Sequence, residues 1–417
     1  MPAFKWNILA TCLLGTTGAL ANAIEIAPPA TPLLIRKQLL ERPFRVRILI
    51  RELTEAKVEI VGSDLRDEKG KLVDGRRLLC LREGKPGPLP SLLGKLELGD
   101  SRWNCSAPNY RRRLEGLLRL TPDQGFVGVN GRFYRGSIDL LPKEDGRIQL
   151  INELPMDDYL AGLLNKEMRS DFPSEALKAQ AIAARSYALA TAADRRRSGS
   201  FYDMWGTEAD QVYEGTHSED ARAFRMVRET KDLVLTHQED VLKAWYHSSS
   251  GGHSELPANV WGESRDDLAY LARESPVDRE IAADWSVVLS PLMGLRWAEV
   301  GKLLDFRVLE RSKGLRVQKV LVTGIHASRE WSGDELRKRL GTRWLKSTLF
   351  NVRPLGNGWR LEGRGWGHGV GMSQLGARAL AKQGKNYKQI LEYYYPYSSI
   401  RTLPLDEAPP VMAISGR

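Results

Sequence analysis

The sequence predicts an α+β protein. Three observations carry that reading. Between residues 44 and 150, short apolar runs are broken by Gly, Pro and Asp at strand-like intervals. From Pro155 onward, Ala- and Leu-rich stretches with helical spacing take over, the longest from Ser174 to Arg197. Near the end, a Gly-rich segment from Gly363 to Gly371 leads into two more helical patterns. A length of 417 residues fits two to three domains, or one domain with large insertions.

Taken in order, segment 1–23 has the three parts of an export signal. Lys5 gives a basic start, Ile8 to Leu20 an apolar run, and Ala21-Asn22-Ala23 a cleavage pattern. The run is too short to span a bilayer comfortably. Cys12 follows Thr11 in that short run, a poor match to a lipid attachment site. Residues 24–43 are Pro- and Ala-rich and read as a linker. Residues 44–150 form a β-rich region, with a hairpin expected between Phe133–Leu141 and Arg147–Ile151. Its Arg111-Arg112-Arg113 run reads as a solvated face, with an anionic-polymer contact as the alternative. Residues 151–262 begin a core with a short helix from Met156 to Leu164, then the long helix from Ser174 to Arg197. Pro173 suits the first turn of that helix, Arg195 to Arg197 suit its negative end, and Ser198-Gly199 stop it. Residues 263–350 read as an inserted lobe of mixed character, with charged helices, few Gly and a strand candidate from Val317 to Val322. Residues 351–403 return to the core with the Gly-rich loop and two helices, and 404–417 form a tail.

Composition narrows the function. Charged residues at 27% match an ordinary globular surface and argue against wholesale disorder. Three Cys exclude a disulfide-dense scaffold. The formal charge of +10 favours an anionic partner: nucleic acid, an anionic membrane face or an acidic wall polymer. Removing 1–23, which holds one Lys and no acidic residue, leaves +9 and two Cys. In an exported chain nucleic acid becomes a weak candidate, and Cys80 and Cys105 are free to pair. A bridge closing about 26 residues would stabilise by roughly 3–3.5 kcal/mol; two free thiols are the alternative.

Three constellations could carry chemistry. Glu167, in Asn165-Lys166-Glu167-Met168, is expected in the connection between two helices beside apolar residues. Burial there would raise its pKa and suit a general acid; a lone Glu at a helix end is also an ordinary cap. The segment Tyr246-His247-Ser248-Ser249-Ser250-Gly251-Gly252-His253-Ser254, a strand running into a turn, offers hydroxyl and backbone donors to a sugar or oxyanion. It lacks a G-x-S-x-G elbow and ordinary zinc spacing, and reads equally as a structural turn. The segment from Gly363 to Gly376 has no phosphate-loop pattern. Its dense glycines allow close backbone approach, and Trp366, His368 and Gln374 stand out as stacking and hydrogen-bonding groups. A tightly packed turn is the competing reading.

Together these segments resemble the stage II sporulation protein D/LytB family of bacterial cell-wall proteins. The matching stretches are Asn152 to Leu160, Glu167-Met168, Glu175 to Tyr187, Gln211 to Gly215, the His247 turn and the Gly365 to Ala377 segment. The resemblance implies a lytic transglycosylase of peptidoglycan that leaves 1,6-anhydro ends, with Glu167 as acid and then base. It also implies glycan strands as substrate, stripped of stem peptides by an amidase. A non-catalytic wall-binding enhancer of a cell-wall amidase is the alternative. Gln180, Arg185 and Tyr213, within the matching stretches, become candidate substrate contacts. Gln180 and Arg185 project about 140° apart on an ideal helix, so close helix packing is the bland reading for both. Some sporulation members hold zinc in the loop before Gln211. Here that loop, Asp203 to Asp210, has neither Cys nor His, so no metal or other cofactor is expected.

Overall fold

Two six-stranded sheets carry the N-terminal part of the chain. The computed structural model describes residues 43–55, 57–73, 76–83, 102–262 and 269–406. The segment expected to be an export signal, all but the last residue of the expected 24–43 linker, and most of the tail lie outside the described residues. The first sheet runs in the order 204–205, 45–53, 148–155, 137–142, 118–122 and 65–67. Arg45 faces Pro155 and Leu53 faces Ile148 across its central antiparallel pair. Alternation sets this register: Val46 and Ile48 are buried, while Arg45 and Arg47 lean outward.

The second sheet runs in the order 110–114, 102–107, 77–83, 57–61, 127–129 and 132–134. Cys80 and Cys105 sit directly opposite each other in it and form a disulfide. The run expected as one strand from Phe133 to Leu141 divides at Arg135-Gly136. Its first part pairs in the second sheet and its second part in the first. The division lets the chain cross between the sheets.

The sheets do not form a separate body. Val46, Ile60, Trp103, Leu120, Leu160, Ile182 and Tyr395 belong to one continuous apolar core. The helices that complete it are α1 (Met156–Glu167), α2 (Ser174–Arg197), α3 (Ala221–Glu229), α7 (Gln374–Lys382) and α8 (Tyr387–Tyr394). Two shorter helices, α4 (Pro257–Trp261) and α5 (Pro276–Ile281), follow α3, and α6 (Gly333–Leu340) lies further on. Helix α2 is buried almost all round from Ala176 to Ala193. Its small side chains let α1, α3, α7 and α8 all pack against it. The Arg195–Arg197 run does more than suit a helix end. Arg195 pairs with Asp210 at 2.6 Å, and Arg196 with the buried Asp203 at 2.6 Å.

Among the described residues, the region after residue 263 mixes strands with the short helices α5 and α6. One three-stranded sheet holds 303–311, 317–324 and 328–332; another holds 284–289, 358–364 and 350–355. Trp285, Trp297, Phe306, Trp331 and Leu361 form a second core there. The hairpin 350–364 therefore packs with the lobe, and its last strand delivers the chain into the Gly-rich loop.

Candidate functional site

Glu167 is the last residue of α1, so it closes a helix; the expectation that it lies in a connection is corrected. Its carboxylate is half-buried and held from three sides. The Val212 N–H donates to Oε1 at 3.1 Å, and Gln374 Nε2 donates to Oε2 at 3.3 Å. The Tyr246 hydroxyl supplies a third hydrogen bond. Burial dominates over these donors and pushes the carboxyl up to about 7. Exposed Glu208, in the 203–210 loop, adds a smaller push in the same direction.

The Tyr246 proton has a defined direction. Tyr159 donates its hydroxyl proton to Gln211 Oε1 at 2.8 Å, which orients the amide. Gln211 Nε2 then donates to Tyr246 Oη at 2.9 Å and to the Ala184 carbonyl at 3.3 Å. With its oxygen accepting from Gln211, Tyr246 is left to donate to Glu167. Tyr246, Gln211 and Val212 were missed as site residues by sequence reasoning. The signals were there: Tyr246 opens the segment that holds His247, and Gln211-Val212 open a stretch that carries the family resemblance.

The His247 turn and the Gly-rich loop meet as parallel strands: Tyr246 lies opposite Met372, and His247 opposite Ser373. Ser249 and Trp366 exchange backbone hydrogen bonds at 2.9 and 2.8 Å, and Ser248 accepts from the Leu375 N–H at 3.1 Å. Close approach explains two of the glycines. A Cβ on Gly367 (φ +116) would lie 2.7 Å from His247 Cβ, and one on Gly369 (φ +87) 2.3 Å from Arg316 Nε.

The imidazoles of His247 and His368 lie 5.3 Å apart, between centroids. The Val370 N–H donates to His368 Nδ1 at 3.0 Å, so the proton of a neutral His368 ring is on Nε2. His247 Nδ1 lies 3.0 Å from the Val370 carbonyl and donates to it, leaving an unpartnered Nε2 lone pair. Burial lowers both rings, His247 to about 3 and His368 well below its ordinary value. Both are neutral near pH 7 and act as polar walls, not cations.

The remaining predicted residues divide. Gln374 touches Glu167 directly. Trp366 stands 44% exposed beside the loop. Ser250 is buried, and its Oγ accepts from the Gly252 N–H at 3.2 Å. The Ser249 hydroxyl is buried without a partner among the described residues, as are both amide atoms of Gln180. Tyr213 packs between Tyr134 and Tyr159 and gives its hydroxyl proton to Asn152 at 2.9 Å. His253 keeps company with Glu274 and Arg279, away from the carboxylate. Arg185 is a correction. It is fully buried, and donates to the carbonyls of Val227, Thr230 and Leu233 and to Asp157. It clasps α1, α2 and α3 together and contacts no cleft.

The inserted lobe reaches into this site from behind. Arg316 is fully buried, and donates from Nη2 to the carbonyls of Ser250 at 2.6 Å and His253 at 3.3 Å. Asp278 of α5 accepts from Ser275 at 2.6 Å and Tyr394 at 3.3 Å. Its neighbour Ser373 caps α7, the helix whose first residue is Gln374. An open cavity of about 510 Å³ is lined by Tyr134, Thr207, Glu208, Val212 and Tyr213, among others. Among the described residues, no group of three His, Cys, Asp or Glu side chains is placed to hold a metal.

The fold and site define an α+β protein built around one protonatable carboxyl, held by donors from distant parts of the chain. A family model described as "Stage II sporulation protein" matches residues 144–237. A second, described as "Domain of unknown function (DUF8618)", matches 281–371. An uncharacterised protein of Brachyspira hyodysenteriae is 32% identical over 290 residues, covering 67% of this chain and 75% of that one. Stage II sporulation protein D of Bacillus amyloliquefaciens is 29% identical over 267 residues, 59% of this chain and 74% of that one. The amidase enhancer of Bacillus subtilis is 27% identical over 376 residues, 74% of this chain and 51% of that one. The chain belongs to the stage II sporulation protein D/LytB family.

Proposed function

We propose that this protein is an exported enzyme of the cell envelope that cuts peptidoglycan glycan strands without water. Glu167 protonates the oxygen of the MurNAc–GlcNAc bond as it breaks. The same carboxylate then takes the proton from the MurNAc O6 as that oxygen bonds to C1. The products are a GlcNAc end and a 1,6-anhydroMurNAc end; no water is consumed. One carboxyl serves both steps because the nucleophile belongs to the substrate, unlike the two-carboxylate glycosidases. The observation that carries this reading is Glu167, pushed up to about 7 by burial while three donors wait to hold its anion. That poise suits a group that gives and regains a proton near neutral pH. The apparent signal at 1–23 and the surplus positive charge support an exported protein with an anionic wall as partner.

A second reading, a non-catalytic enhancer of a wall amidase, draws on the amidase-enhancer relative, which aligns with 74% of this chain. One experiment separates the two. Purified protein is incubated with peptide-stripped strands, and the ends are read by mass spectrometry. The enzyme makes anhydro ends and loses them on Glu167→Gln. The enhancer makes none but stimulates an amidase, whatever residue stands at 167.

A further inference from the structure

Among the described residues, Arg337 is the cation of α6 that forms no ion pair; Asp334 and Glu208 act on it only from beyond ion-pair distance. Its neighbours are neutralised: Lys338 by Asp334 at 2.7 Å, and Arg339 by Glu299 at 2.7 Å and Glu335 at 2.9 Å. Among the described residues, Arg337 has no carboxylate at ion-pair distance. Its Nε is anchored instead on the carbonyls of Leu345 at 3.0 Å and Lys346 at 3.3 Å. That grip leaves both terminal nitrogens for a ligand.

The anchor fixes where the guanidinium stands. The Lys346 carbonyl also accepts the Gly367 N–H at 2.8 Å, so Arg337 and the Gly-rich loop share one oxygen. The adjoining Trp366 is locked to Ser249 through its backbone, and Lys346 Nζ lies 5.1 Å from the centre of its ring. His247, His368 and Glu208 all lie within electrostatic reach of Arg337. Glu208 is in turn within reach of Glu167. The lobe thus brings two cations up to the exposed ring of Trp366 on the Gly-rich loop.

We propose that Arg337, Lys346 and Trp366 form a subsite for a sugar that bears a free carboxylate. The ring face of Trp366 not covered by Lys346 stacks on the sugar's C–H surface. The carboxylate pairs with the Arg337 fork and Lys346, where partial burial strengthens the attraction. This rests on the glycan-strand reading above. In such a strand one sugar of each pair carries a lactyl carboxyl, which is an uncharged amide while a stem peptide is attached. The lobe would therefore select stripped strands by charge, and the inserted region gains a role in specificity.

The test is a titration, followed by tryptophan fluorescence, of full-length protein carrying Glu167→Gln so that nothing is cut. The probes are peptide-stripped strands and the same strands with their carboxyls methyl-esterified. Stripped strands should bind about tenfold tighter, as expected for one charge-assisted contact of about 1.4 kcal/mol. Adding Arg337→Met should remove most of that advantage, Lys346 keeping the rest, and leave the esterified affinity where it was. Lys346→Met, with circular dichroism to confirm folding, repeats the comparison if the first variant misfolds. Equal binding of both probes to the parent, or equal weakening of both by the variants, overturns the subsite while the glycan reading stands. Binding of neither probe overturns the glycan reading and the subsite with it.

Discussion

Gln374 Nε2 donates to Glu167 Oε2 at 3.3 Å, joining residues 207 positions apart. The contact ties the C-terminal end of α1 to the first residue of α7. Gln374 can be placed there because Ser373 caps α7 through the Gly376 N–H at 3.2 Å. The Glu167 carboxylate is therefore held by residues drawn from two distant parts of the chain.

Glu167→Gln should lower anhydro-end formation by about 10²–10⁴-fold, the usual worth of general acid–base catalysis. The amide can still accept from the Val212 N–H, so the protein should remain folded. Product analysis beside a thermal melt checks both halves. Unchanged product yield would remove Glu167 from the chemistry.

Tyr246→Phe removes the donor whose proton Gln211 directs at Glu167. A hydrogen bond to a charged group contributes about 1.5–3 kcal/mol, or about one to two pKa units. That bond favours the ionised form, so its loss should raise Glu167 above about 7 and move the alkaline limb of the pH–rate profile upward. A lower rate with an unmoved limb would mean that Tyr246 acts only through packing.

Much of this architecture was legible in the sequence, and the reasons differ by element. Helix α2 announced itself through Pro173 at one end and Ser198-Gly199 at the other, because local capping chemistry sets both ends. The Gly365–Gly371 run was legible as a site of close approach, since that demand acts on the backbone. Tyr246 and Val212 were not legible as site residues. Their roles come from pairing with residues distant in sequence, and a backbone N–H leaves no mark on residue choice. Arg316 was not legible either: nothing in its local sequence marks it as a charged residue fully buried on two carbonyls of a turn more than sixty positions earlier.

Stability should carry the signature of Glu167. Its folded pKa of about 7 exceeds the ordinary 4.5, so the folded state holds the proton more tightly than the unfolded chain. The contribution is complete below about pH 4.5 and is lost as pH rises through 7. The melting temperature of the parent should therefore fall relative to Glu167→Gln across that window. His247 has the opposite slope, because its folded value of about 3 lies below the ordinary 6.5, so the difference between the two proteins is the proper readout. A difference independent of pH would refute the raised carboxyl.

Reduction of the Cys80–Cys105 bridge should destabilise the second sheet. The bridge spans a sequence separation of 25, for which the chain-entropy model gives about 3 kcal/mol. Melting with and without reductant, with a Cys80→Ala/Cys105→Ala variant as control, measures the loss. Below the lowered midpoint, anhydro-end formation should persist, because neither Cys contacts Glu167. A melt unaffected by reductant would mean that the strands hold their pairing unaided.

Arg316→Ala should separate the lobe's stability from that of the core. The substitution strips the Ser250 and His253 carbonyls of their donor and opens space against Gly369, all within a buried region. Losing such a network costs about 2–4 kcal/mol. The lobe keeps its own Trp-rich core, so the loss should fall at the junction: hydrogen exchange should quicken in residues 247–253 and 365–371 before it does within 317–324. Gln374 lies just beyond that loop, so loosening it should also cost product formation. Uniform destabilisation of both cores, with no early exchange at the turn, would show that Arg316 supports the fold generally and does not fasten the lobe to the site.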